Sequence, residues 1–143
     1  MSALPQGYDL TDNQSRIDPV AAHAYLTGSY WAEGIPLTTV ARSIEGSFCI
    51  AVFHKDVQIG FARIVSDFAT FAYLADVYVL EAHRGRGVAQ SMLAYLVGHP
   101  RLQGLRRWAL FTKDAQPLYA RFGWAQYATP ERMMTRDSPD IYQ

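Results

Sequence analysis

The sequence predicts an α+β domain built on a single mixed, mostly antiparallel sheet, and three observations carry that prediction. The first third of the chain shows helical periodicity. The middle shows strand periodicity joined by a short polar turn. The last third alternates strand, loop, helix, strand and helix. At 143 residues the chain fits one domain spanning positions 1–143, and no repeat, low-complexity tract or linker divides it.

Residues 7–10 read as a first strand. Asp18-Pro19 reads as an N-cap followed by the first helical position, opening a helix through Leu26 with the stripe Ile17, Ala21, Ala24, Tyr25. A loop from Gly28 to Gly34 carries Tyr30 and Trp31. Pro36 then starts a second helix, with Leu37, Val40, Ala41 and Ile44 on one face and Gly46 expected as a left-handed cap. Residues 48–53 and 57–66 form two strands around His54-Lys55-Asp56, and Arg63 interrupts the second apolar row. Residues 70–80 make a nearly continuous apolar run, as expected of a strand buried on both faces, and only Asp76 breaks it. After His83 to Gly87 comes a helix of about ten residues ended by Gly98 and Pro100. A strand at 107–112 follows, then a short helix capped by Asp114 with Ala115, Leu118, Tyr119 and Phe122 on its stripe. A last strand is expected near Arg132 to Thr135.

Composition excludes several classes of function. Half the residues are hydrophobic and 13% aromatic, too many for intrinsic disorder. Lys plus Arg balances Asp plus Glu at 13 each, against broad nucleic-acid binding, although Arg101 to Arg107 forms a local basic cluster. The single cysteine, Cys49, builds neither a disulfide framework nor a cysteine metal site and reads as a packed strand thiol. Histidines 23, 54, 83 and 99 lack metal-ligand spacing, so no metal is expected. With no apolar run of membrane-spanning length and no signal peptide, the expectation is a soluble, cytoplasmic protein without a membrane partner.

The chemistry concentrates in Arg84-Gly85-Arg86-Gly87-Val88-Ala89, between the buried strand and a helix. The first N–H groups of a helix lack internal partners, and its dipole places partial positive charge there. Glycines 85 and 87 permit the left-handed angles of an amide nest and clear the way for a ligand. With Arg84 and Arg86 beside it, the loop suits a diphosphate better than a carboxylate. A Walker loop fails for want of Gly-Lys-Ser/Thr. A dinucleotide fingerprint fails because Gln90 stands where the third glycine belongs.

Arg84, Gly87 and Ala89 match the Gln/Arg-x-x-Gly-x-Gly/Ala signature, and Leu118-Tyr119-Ala120-Arg121-Phe122-Gly123-Trp124 matches Leu-Tyr-x-x-x-Gly-Phe with Trp for the last Phe. On these two landmarks the chain resembles the GNAT superfamily of acyl-CoA-dependent N-acetyltransferases over about residues 17 to 124. The resemblance implies a GNAT-like sheet of about six to seven strands with about four helices on both faces. It implies acetyl-CoA as cosubstrate, with Arg84, Gly85 and the amides of Arg86, Gly87, Val88 and Ala89 on the pyrophosphate. Val77 and Val79 would pair with the pantetheine arm, and Tyr119 would act as general acid. One departure stands out: many members carry Asn shortly after the next strand, where this chain has Lys113-Asp114.

The expected reaction is attack of a neutral amine on the thioester. Asp76 is a candidate base or ammonium anchor, with a structural pair to Arg63 as the alternative, because a carboxylate in a buried strand needs a partner. Tyr30, Trp31 and Tyr73, with Phe68 and Phe71, are candidates for the acceptor pocket. The acceptor would be a small-molecule or peptide amine, and the resemblance is compatible with a homodimer. The competing reading is a non-catalytic coenzyme A-binding sensor or scaffold.

Overall fold

Asp18 starts the first helix by the mechanism its sequence context predicts: its Oδ1 accepts the N–H groups of Val20 at 3.0 Å and Ala21 at 3.2 Å. In the computed structural model, which describes residues 4–143, strand β1 spans Tyr8–Thr11 and helix α1 Pro19–Leu26. Helix α2 covers Leu37–Glu45. Gly46 closes α2 with φ −89°, so the left-handed cap expected there is absent; its N–H reaches Arg42 O at 3.2 Å instead. Strands β2, Phe48–His54, and β3, Val57–Ser66, follow as a hairpin. His54 pairs with Val57, leaving Lys55 and Asp56 as a two-residue turn with φ 50° and 64°, the positive angles that match strand twist.

Strand β4, Phe71–Val79, completes the antiparallel meander, and β5, Arg107–Ala109, joins β4 in parallel. The sheet order is β1-β2-β3-β4-β5. That is five strands among the described residues, not six to seven. The expected strand near Arg132 to Thr135 is a single 3-10 turn at Pro130–Arg132 followed by unpaired chain. Met133 and Met134 there stay exposed, so no buried face rewards ordering a ladder. The strand expected at 107–112 pairs only over three residues.

Two cores explain why the helices occupy both faces. Phe48, Ile50 and Val52 pack with Ile59, Ala62, Leu74 and Val79 against Val88, Met92, Leu93 and Leu96 of helix α3, Val88–Val97. The alternate residues Cys49 and Ala51 face Phe61 and Tyr78, under Ala22 and Leu26 of α1 and Val40 of α2. Period-two alternation in β2 thus feeds both layers. Each fully buried Leu, Ile, Met or Phe contributes about 1.5–3 kcal/mol. Cys49 has no exposed surface, and burial pushes its thiol up to about 12, so it stays protonated packing material.

Strand β4 carries one irregularity. Arg63 pairs with Ala75, but Phe61 pairs with Tyr78, so Asp76 and Val77 together oppose Ala62. Asp76 sits at φ 58°, in the left-handed region, the geometry of a β-bulge. Ala72, Leu74, Val77 and Val79 pack toward α3, while Tyr78 packs toward α1 and α2. Phe71–Tyr73 pair with Arg107–Ala109; from Leu74 on, β4 has no strand neighbour on that side among the described residues. The last helix, α4, is short, Gln116–Ala120. Asp114 does not cap it; Thr112 Oγ1 accepts the Ala115 N–H at 3.0 Å instead.

Candidate active site

The loop from β4 to α3 is held open by its own residues. Gly85 and Gly87 both adopt φ +78°, and a Cβ at either would meet no atom within 4 Å. The glycines therefore serve the backbone conformation and an approaching ligand, not packing within the chain. Ser91 N–H to Gly87 O, 3.0 Å, is the first rung of α3, so the amides of Val88 and Ala89 precede the helical ladder and point from its positive end. Arg84 does not extend toward that space: its Nε donates to Val79 O at 2.9 Å and its guanidinium to Tyr25 Oη at 3.1 Å. Arg84, though exposed, braces the loop against β4, and Arg86 is the loop's second exposed cation. His83 anchors the other shoulder through a 2.7 Å hydrogen bond between Nδ1 and Tyr8 Oη.

Beyond the loop lies the seam opened by the bulge. One wall is β4 from Leu74 to Val79, including Val77 and Val79; the other is the chain leaving β5 through Leu110 to Lys113. Lys113 N–H donates to Tyr30 Oη at 3.1 Å, tying the loop between α1 and α2 across the seam. Tyr73 stands at the start of that opening with its ring 6.0 Å from Phe111.

Asp76 looks out from the bulge with both carboxylate oxygens occupied. Arg63 Nε donates to Oδ2 at 2.8 Å, and Trp31 Nε1 donates to Oδ1 at 2.9 Å. Arg63 also donates to Ser47 Oγ at 3.1 Å. The side chains of Arg63 and Asp76 are 19% and 12% exposed, so the pair is largely desolvated and mutually compensated. Trp31 packs edge-on to Tyr30 at 5.1 Å and beside Tyr25, which stacks on Tyr78 at 4.0 Å. Of the expected acceptor aromatics, Tyr30, Trp31 and Tyr73 gather around the seam. Phe68 instead lies against Phe48 with Arg101 over its ring at 3.9 Å. Arg107 lies over Tyr127, so two arginines of the basic cluster rest on aromatic faces.

Tyr119, on α4, is 9% exposed, and its hydroxyl has no hydrogen-bond partner among the described residues. Burial, with the nearby Tyr30 hydroxyl, pushes its pKa up to about 12. Its ring packs against Trp124 at 5.9 Å, and the Trp124 indole N–H is buried without a partner among the described residues. Sequence reasoning missed the Trp31–Asp76 bond and the carboxyl-terminal segment, whose Tyr142 packs into the α1–α2 core. A lone Ile141-Tyr142 pair between Asp140 and Gln143 has no periodicity that would signal such docking. Among the described residues no cluster of three or more His, Cys, Asp or Glu is placed to hold a metal, and no helix is long and apolar enough to cross a membrane.

Known proteins share this arrangement. The crystal structure of a candidate GNAT acetyltransferase from Xanthomonas campestris pv. campestris is 42% identical, covers 98% of this chain and 99% of its own, and superposes with a TM-score of 0.93. A candidate acetyltransferase of Gibberella zeae is 29% identical over 82% of this chain and 81% of its own length. The crystal structure of a candidate acetyltransferase from Clostridium acetobutylicum with acetyl-CoA, 18% identical, shares the fold at a TM-score of 0.64 over 91% of this chain and 94% of its own. The family model of the acetyltransferase (GNAT) family matches residues 12–124, which contain every strand of the sheet but β1 together with the glycine loop and Tyr119: the chain belongs to the acetyltransferase (GNAT) family.

Proposed function

We propose that this chain transfers an acetyl group from acetyl-CoA to a primary amine by direct attack on the thioester. The observation that carries the reading is the seam itself: an open edge of β4 running from the Gly85–Ala89 amide nest to Tyr30 and Tyr119. A pyrophosphate suits the nest. An extended pantetheine arm suits the unpaired backbone of Val77 and Val79, in the manner of an added strand. Arg84 assists by bracing the loop, and Arg86 with the amides of Gly87, Val88 and Ala89 meets the anion.

The neutral amine attacks the carbonyl carbon, the C–S bond breaks, and its electron pair leaves on sulfur. The sulfur takes one proton, and the nitrogen loses one to water. A thiol is acidic near 8.5, about the reference for cysteine, so a phenol at about 12 stabilises the developing thiolate chiefly by donating a hydrogen bond. Asp76, held by Arg63 and Trp31, acts as the carboxylate that positions the acceptor wall rather than as a free base. Much of the acceleration then comes from holding amine and thioester together.

The experiment is a thiol-release assay with acetyl-CoA across an amine panel, paired with calorimetric binding of coenzyme A to wild type and Gly87→Glu. Thiol release with at least one amine, and loss of coenzyme A binding in a folded Gly87→Glu variant, are expected. Coenzyme A binding without turnover on any amine would favour a sensor or scaffold; unchanged binding in Gly87→Glu would remove the loop assignment.

A further inference from the structure

A cleft of about 540 Å³ lies beside the seam, between the turn Tyr30–Gly34 and the carboxyl-terminal segment 137–143. Its size is that of a small-molecule site. The two walls are closely fitted: a Cβ on Gly34, at φ +83°, would stand 3.0 Å from Tyr142 O. Tyr142 is partly buried against the α1–α2 core, which fixes the far wall in place.

The lining has a definite chemistry. Tyr30 and Trp31, 58% and 40% exposed, offer aromatic faces, and Ile141 and Pro139 add apolar surface. Glu33 and Asp137 contribute carboxylates, and no Lys, Arg or His lines the cleft. Neither acid has a salt-bridge partner among the described residues; Asp137 accepts only the Thr135 hydroxyl at 3.2 Å. The Lys113 ammonium sits over the Tyr30 ring at 5.5 Å from its centroid, so that ring already accepts a cation on one face. Carboxylates alone would not define a ligand. Here they share a walled cleft with aromatic faces, and the inner wall, Trp31, is fixed to Asp76 at the seam.

We propose that this cleft is an acceptor subsite selecting organic dications: amines that react at one end and keep a second ammonium at the other. The proposal rests on the N-acetyltransferase reading of the seam. The reacting nitrogen enters the seam neutral. The retained ammonium lies against Trp31 and between the two carboxylates, where cation–π attraction and charge pairing add.

The test compares kcat/KM for matched pairs, butylamine with diaminobutane and hexylamine with diaminohexane, in wild type and in a Glu33→Gln/Asp137→Asn double variant. About tenfold preference for the diamine in wild type, corresponding to ~1.4 kcal/mol, and collapse of that ratio toward unity in the variant, are expected. Equal rates within each pair in wild type, or a preference that survives in the variant, overturns the proposal. Calorimetry with the bis-trimethylammonium analogue of diaminohexane, which cannot be acetylated, tests the cleft independently of turnover. Binding that weakens about tenfold in the double variant supports the subsite, and binding that is absent or unaffected overturns it. Coenzyme A titration of the same samples tells a failed subsite from a failed acetyltransferase reading.

Discussion

Trp31 and Asp76 are separated by 45 residues, yet the indole N–H of one donates to the carboxylate of the other at 2.9 Å. Arg63 holds the second oxygen of the same carboxylate at 2.8 Å. One side chain thus joins the loop above the seam to the sheet beneath it.

Removing that charge leaves Arg63 without its partner in a largely desolvated position. Asn tolerates the left-handed backbone nearly as well as Asp. Asp76→Asn is therefore expected to cost about 3 kcal/mol in urea unfolding, the low end for breaking a buried pair because both side chains keep some exposure. Asp76→Ala should cost roughly 1 kcal/mol more, because its φ of 58° strains alanine. An Asp76→Asn midpoint equal to wild type would show that the pair holds nothing.

In the proposed mechanism the amine, not Tyr119, sets the pH profile. A pKa raised to about 12 means the phenol stays protonated well above neutrality, so the hydrogen bond proposed to the leaving sulfur persists as pH rises. The rate of acetyl transfer should climb with the neutral fraction of the amine and show no falling limb up to about pH 10. Tyr119→Phe should lower kcat about 10²-fold with little change in the acetyl-CoA KM. A falling limb between about pH 8 and 9 in wild type would assign the acid to another group.

Asp12 ties the segment after β1 to the end of α3. Tyr95 Oη donates to its Oδ2 at 2.7 Å and His99 Nε2 lies 3.0 Å from the same oxygen, which lowers its pKa below the ordinary 3.8. A lowered carboxylate contributes stability that is present above 3.8 and lost as pH falls through the folded value. With a partly exposed side chain the contribution is screened, to about 0.5–1 kcal/mol. Asp12→Asn should lower the unfolding midpoint at pH 7 and converge on wild type as the medium becomes strongly acidic. A constant gap across the titration would rule out the carboxylate as its source.

Local signals in the sequence reached the helix starts, the β2–β3 hairpin, the glycine loop and the Arg63–Asp76 neighbourhood, because caps, two-residue turns and amide nests are short-range devices. Signals that depend on a distant partner did not. The strand at 107–112 shortened to Arg107–Ala109 because β4 departs from it past Tyr73. Thr112, not Asp114, supports the start of α4, and either residue type satisfies the same local rule. The bond to Trp31 and the packing of Tyr142 both link segments that no periodicity connects.

Strip Asp76 out of β4 and what remains is a strand without a fault. Ala72, Leu74, Val77 and Val79 would then alternate toward α3, with Tyr73, Ala75 and Tyr78 facing the opposite way. The irregular residue is thus a single extra position in an otherwise regularly alternating strand packed on both faces. What it adds is local: a fork in the sheet, and a carboxylate at the point of the fork. In β4 the residues that build the core and the residue that opens the fork are thus distinct, although Val77 and Val79 serve the core and flank the fork together.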